Sequence, residues 1–168
     1  MDNSEIKLAN KIINLTSLPY IIAEIGVNHE GSLDKAKELI RLAKEGGADA
    51  AKFQTYKAET IASKNSPSYW DLTEESTTSQ FKLFKKYDSF NESEFIDLAN
   101  YCKSLGIEFI STPFDSNAID FLDPLMPFFK IASADITNFP FLRQIASKNK
   151  PVILSTGAST LDEIKIAV

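Results

Sequence analysis

The sequence predicts an α/β fold, parallel strands joined by crossover helices, on three observations. Short apolar runs rich in branched or aromatic residues recur along the chain, and each is followed by a helical pattern. Glu24, Gln54, Thr112, Lys130 with Ser133, and Ser155 each fall at or just past the carboxyl end of such a run. No Gly-x-Gly-x-x-Gly follows the first run and no P-loop motif occurs, so a nucleotide-binding reading lacks its phosphate cradle. An open doubly wound sheet stays compatible with this pattern. In a (β/α)8 barrel, strand ends of this kind converge on one face, where active sites are built.

Five runs qualify as strands. The first covers residues 20–24, with a loop from Gly26 to Gly31 and a helix that Ser32 caps and Gly46-Gly47 stops near residue 45. The second is Ala50-Ala51-Lys52-Phe53-Gln54. A long insertion separates it from a helix over 92–105, whose N-cap is Asn91 or Ser93. An insertion of that length is expected to be a lid or interface element, with Tyr69 and Trp70 as candidate lid or interface residues. Phe95, Ile96, Leu98, Ala99, Cys102 and Leu105 give the following helix one apolar face, and Gly106 ends it. The third strand, residues 107–111, leads into a short helix ending at Leu122. The fourth is 128–131, followed by a loop over 133–138 and a helix over 139–148. The fifth is 151–155, after which Thr156-Gly157-Ala158-Ser159 is expected to open another helix.

Composition narrows the function classes. With 168 residues the chain is long enough for a domain with a real core. A net charge of −5, with basic residues scattered among acidic ones, argues against nucleic acid as a partner. Residues 1–14 are polar and mixed in charge, and no apolar run reaches the length of a signal segment or a membrane span, so neither secretion nor a membrane is expected. Cys102 is the only cysteine, which excludes an internal disulfide and a thiolate metal cluster and favours a reducing, cytoplasmic setting.

At its strand ends the sequence resembles the sialic acid synthase family, which includes N-acetylneuraminate, legionaminate and pseudaminate synthases. The resemblance rests on five ordered blocks: Ala23-Glu24-Ile25-Gly26-Val27-Asn28-His29-Glu30-Gly31, Lys52-Phe53-Gln54, Ser111-Thr112-Pro113-Phe114, Lys130-Ile131-Ala132-Ser133 and Leu154-Ser155-Thr156-Gly157. It implies a (β/α)8 barrel of which residues 1–168 supply about the first five β/α units, without the rest of the barrel or the carboxy-terminal antifreeze-like domain. It also implies condensation of phosphoenolpyruvate with an N-acylmannosamine-type sugar, giving a nonulosonic acid and phosphate.

The resemblance assigns roles residue by residue. Lys52 and Lys130 would bind phosphoenolpyruvate as point charges, and their place inside apolar strands makes burial without a partner costly. Thr112, Ser133 and Ser155 would add hydroxyl donors, and Thr156-Gly157 backbone donors at a helix start. Glu24 and Gln54 would face the sugar and the condensing carbons, with Glu24 orienting the aldehyde or handling a proton. Asn28, His29 and Asp135 are further candidates, Asp135 standing where the family often has the longer glutamate. A divalent metal, Mn or Mg, is implied too, with no ligands for it expected in this chain. A homo-oligomer is implied, or association through an open barrel edge with exposed apolar surface. Two alternatives stay open: a catalytically incompetent part of a barrel that binds a complementary chain, and another phosphoenolpyruvate-using or aldolase-type barrel enzyme.

Overall fold

The structure is a computed structural model that describes residues 5–168; residues 1–4 of the polar amino terminus lie outside the described residues. It begins with a hairpin that the sequence pattern does not announce. Strands β1 (Ile6–Leu8) and β2 (Lys11–Ile13) pair antiparallel around Ala9 and Asn10. Three-residue strands with Lys at two positions are too short and polar to show as apolar runs. Tertiary contacts hold the hairpin: Leu8 joins the core, and Lys11 pairs with Asp49 at 2.5 Å. The Asp49 carboxylate in turn accepts from the Ile21 amide (2.8 Å).

Five parallel strands follow, with helices between them. Strand β3 (Ile22–Gly26) precedes helix α1 (Leu33–Glu45), and strand β4 (Ala50–Thr55) precedes the short helices α2 (Ala58–Ile61) and α3 (Gln80–Tyr87). Helix α4 (Glu92–Leu105) leads to strand β5 (Glu108–Pro113) and helix α5 (Ser116–Leu122). Strand β6 (Phe129–Ile131), helix α6 (Phe139–Ala146), strand β7 (Val152–Leu154) and helix α7 (Leu161–Ala167) complete the order. Strands β3, β4 and β5 form one parallel sheet and β6 and β7 another, with β5 and β6 packed side by side. Chain order equals spatial order throughout. That is the winding of a (β/α)8 barrel, whereas a doubly wound sheet reverses order at a switch point.

The helix boundaries have local causes. Ser32 accepts from the Lys35 amide (3.2 Å) to start α1, and Asn91 with Glu94 forms a capping box on α4. Gly106 ends α4 in the left-handed conformation (φ 66°) that a side chain would resist. The expected helix start at Thr156 is corrected: α7 begins at Leu161, capped by Thr160 and Glu163. Ala158 has φ 55°, which breaks any helix from Thr156. The first strand also lies two residues later than the apolar run indicates: the Ile21 amide is taken by the Asp49 carboxylate (2.8 Å), and Tyr20 packs edge-on against Phe128 (5.7 Å).

The insertion is partly helical and closes on itself. The Asp88 carboxylate, 1 % exposed, accepts from Lys57 Nζ (2.9 Å) and the Ala58 amide (3.0 Å), tying the two ends together. Lys57 Nζ also donates to the Phe90 carbonyl (2.9 Å). Beneath it, the core fills the space between the first sheet and its helices, where Phe53, Phe109, Ile40, Leu98 and Cys102 are buried. Burying each large side chain contributes about 1.5–3 kcal/mol. No helix among the described residues is long and apolar enough to cross a membrane.

Candidate functional site

Strand alternation divides β4 between two faces. Phe53 stacks on Phe109 (5.8 Å) on the helix side, and Thr55 shares a 2.6 Å hydroxyl bond with the buried Ser111 there. Lys52 and Gln54 therefore point to the opposite face. Register carries the same face across the sheet, with Glu24 beside Lys52, Lys52 beside Ile110, and Gln54 beside Thr112. Of the adjacent hydroxyls Ser111 and Thr112, only Thr112 shares the face of Lys52.

The Lys52 ammonium forms an ion pair with the Glu24 carboxylate; its side chain is 10 % exposed and that of Glu24 55 %. Lys130 on β6 is half-buried, and its ammonium donates to the Ile131 carbonyl (2.9 Å). Burial pushes the Lys130 pKa below the ordinary lysine value, repulsion from Lys52 adds to that, and Glu24 pulls the other way. Two lysines thus share a neighbourhood with one glutamate. Such a site gains from an anion, which would relieve the repulsion and replace lost solvation.

Two glycines let the flanking groups approach. A Cβ on Gly26 (φ +56°) would stand 3.3 Å from Glu24 Oε1 and 3.7 Å from Gln54 Nε2, so this glycine leaves room for both side chains. A Cβ on Gly157 would stand 3.3 Å from Ser133 Oγ, placing the loops after β6 and β7 against each other. Ser155 extends β7, its amide donating to the Ile131 carbonyl (3.1 Å). Sequence reading gave Gly26 no part in the site and Gly157 only that of a backbone donor at a helix start, not of a close approach to Ser133. The available signal was a glycine just past a strand end, where close approach is a common reason for one.

The remaining candidates lie apart from the lysines. Asn28 is exposed on the loop after β3. His29 is 2 % exposed, stacked on Phe90 at 4.2 Å, with Nδ1 accepting from the Gly31 amide (3.1 Å). Asp135 lies in the turn after Ser133, facing Asn138 (3.5 Å), and its Oδ2 is buried with no partner among the described residues. Burial raises its carboxyl pKa, while Asn138 works against the rise. Thr156 and Gly157 belong to the loop before α7, so helix-start donors are not available from them. The apolar hollow lined by Tyr56, Phe90, Phe95 and Phe121 is a separate feature that shares none of the candidate residues.

Two lysines and neighbouring hydroxyls thus gather at the ends of sequentially wound parallel strands, the edge at which barrel enzymes build their sites. The chain belongs to the NeuB family, whose model matches residues 39–168. It is 45 % identical over 152 residues to the N,N'-diacetyllegionaminic acid synthase of Legionella pneumophila, covering 89 % of this chain and 42 % of that protein. To the human N-acetylneuraminate-9-phosphate synthase it is 38 % identical over 147 residues, covering 87 % and 41 %. The solved N-acetylneuraminic acid synthetase of Leptospira borgpetersenii superposes with a TM-score of 0.84 at 33 % identity, covering 98 % of this chain and 54 % of that one. The chain thus spans less than half the length of these two curated relatives. Its relatives make sialic- and legionaminic-type acids.

Proposed function

We propose that this site holds phosphoenolpyruvate for condensation with the open-chain aldehyde of an N-acylmannosamine-type sugar. C3 of phosphoenolpyruvate attacks the aldehyde carbon, water adds at C2, and phosphate leaves with cleavage of its C–O bond, giving a nonulosonic acid. The observation that carries this reading is the juxtaposition of Lys52 and Lys130 with Glu24 as counter-charge. Two ammonium groups suit the phosphate and carboxylate of one small polyanion. Thr112, Ser133 and Ser155 supply hydroxyl donors around it. Glu24, paired to Lys52 yet half-exposed, is placed to orient the aldehyde or to pass a proton, and Gln54 lies beside it across Gly26.

Among the described residues no group of three or more His, Cys, Asp or Glu side chains is arranged to hold a metal ion. His29 is buried with Nδ1 already engaged. The residues present therefore do not fit the expected Mn or Mg, and no step above runs through one. The free, buried Cys102 fits a reducing, cytoplasmic setting for the reaction.

The test is phosphate release from phosphoenolpyruvate with N-acetylmannosamine or its diacetamido relatives and Mn²⁺, alongside direct phosphoenolpyruvate binding by calorimetry. Each lysine contributes about 1.5–3 kcal/mol as a charged hydrogen-bond donor, so a Lys52→Ala/Lys130→Ala double variant should weaken binding by about a hundredfold or more. Equal binding by the double variant would refute the reading. A borohydride-trappable lysine adduct would instead favour a Schiff-base aldolase.

A second reading has one observation in its favour: Val152, Leu161, Ile166 and Val168 are 42–97 % exposed around β7 and α7. On that reading the chain binds phosphoenolpyruvate but turns it over only when this apolar surface is covered by a second chain. Binding without phosphate release, together with self-association in sedimentation, is its expected signature.

A further inference from the structure

One imidazole connects three segments that are far apart in sequence. The His29 ring lies nearly parallel to Phe90 (4.2 Å, 12°) and tilted against Phe53 (6.1 Å, 46°). Phe53 is the β4 residue between Lys52 and Gln54. Phe90 stands where the insertion closes, its carbonyl held by Lys57, which also binds Asp88. His29 Nδ1 accepts from the Gly31 amide, so the neutral ring carries its proton on Nε2. Gly31 (φ +80°) is itself pressed on the closure, since a Cβ there would meet Ser89 Oγ at 3.0 Å.

We propose that His29 is a positioning residue that touches no substrate: its ring holds the loop after β3, the Lys52-to-Gln54 end of β4 and the closure of the insertion in one mutual register. This rests on the reading of Lys52 and Gln54 as substrate-facing. A merely packed aromatic ring would serve only one part of this arrangement. The ring nitrogen orders the loop, the ring face seats the insertion, and the tilted ring meets Phe53 of β4 on the side opposite the two polar residues. Protonation at Nδ1 removes the Gly31 bond and places a cation under Phe90.

The surroundings oppose that proton. Burial lowers the His29 pKa below the ordinary imidazole value of 6.5, and Lys35 on α1 adds repulsion. From the closure side the ring faces Tyr56, Tyr87 and Asp88, and Asp88 is already engaged by Lys57 and Ala58, with Lys85 at 3.6 Å. Glu30, next in the chain, pairs with Lys35 (2.8 Å). A depressed folded-state value means the register is complete above the ordinary imidazole value and is lost as pH falls through the lowered folded-state value.

The experiment combines phosphoenolpyruvate calorimetry with site-resolved amide exchange of the full chain at about pH 7.5 and about pH 5, corrected for intrinsic rates. His29→Ala should weaken phosphoenolpyruvate binding about tenfold and speed exchange at Gly31 and Ala58 together by about tenfold. His29→Phe keeps the ring face but has no acceptor for the Gly31 amide and cannot ionise; at the higher pH it should already show the faster Gly31 exchange that acid gives the unaltered chain, bind phosphoenolpyruvate less weakly than His29→Ala does, and show no further acid response at either amide. A folded His29→Ala chain that binds phosphoenolpyruvate normally overturns the proposal. So does a His29→Phe chain that keeps the acid response. Should the unaltered chain bind no phosphoenolpyruvate, the functional reading fails on its own. The exchange arm then still decides, because Gly31 and Ala58 responding to acid independently would refute the shared register.

Discussion

In strand β4 only Gln54 among residues 50–55 escapes burial, whereas in β7 no residue is buried and Val152 is 42 % exposed. The helices repeat the contrast. α1 and α4 bury Ala36, Ile40, Phe95, Leu98 and Cys102, while α7 buries none and leaves Leu161 and Ile166 at 74 % and 68 % exposure. The candidate anion site straddles the two regions, with Lys52 and Thr112 on the covered sheet and Ser155 on the less covered pair. Local stability follows buried apolar contact, so within these 168 residues taken by themselves one half of the site has a stiff foundation and the other opens at lower cost. Chemistry of one kind is thus mounted on two supports of different strength.

The largest expected effect breaks the stiff half. Leu98→Ala should cost about 2–5 kcal/mol in urea unfolding, the usual range for a buried leucine, while Ile166→Ala on α7 stays within about 0.5 kcal/mol. Equal losses would erase the distinction between the two regions. An intermediate effect separates the two lysines. Phosphoenolpyruvate affinity should decline as pH rises through the depressed Lys130 value, sooner than for an ordinary lysine, because the deprotonated amine no longer attracts the anion. Lys130→Arg should move that decline to higher pH, since guanidinium stays charged, and calorimetry across the alkaline range would show it. The same decline in the arginine variant would remove Lys130 as its source.

The smallest effect concerns Asp135. Its carboxyl is raised by burial, so the folded state gains stability as pH falls through that raised value and lacks this gain at neutral pH. Asp135→Asn should therefore stabilise the chain at pH 7 by about 0.5 kcal/mol, a modest figure because partial exposure screens the charge. The advantage should shrink in acid, and thermal melts at the two pH values would reveal a contrary sign.

How much was legible in the sequence differs from one residue to the next. Lys52 stood out because an ammonium inside Ala-Ala-Lys-Phe demands a partner, and Glu24 in the neighbouring strand is that partner. Ser32, Asn91 and Gly106 announced helix ends through side chains that satisfy backbone groups within a few residues. The hairpin of β1 and β2 was not legible, since it is held by the distant Asp49. Nor was the place of His29 beneath Phe90, a neighbour sixty-one positions along the chain. The loop before α7 misled for a local reason, because Thr156 and Thr160 are both plausible caps and only the backbone at Ala158 separates them.

Alternation of strands with helices, the capping residues and the polar strand ends are set by short-range periodicity and local hydrogen bonding, and the amino-acid sequence by itself determined them. Which face Lys52 shares with Lys130, how Gly26 and Gly157 admit their neighbours, and where the insertion closes depend on strand register and on packing between distant segments. Those contacts exist only once the chain has paid its ordering entropy, so only the tertiary structure decided them.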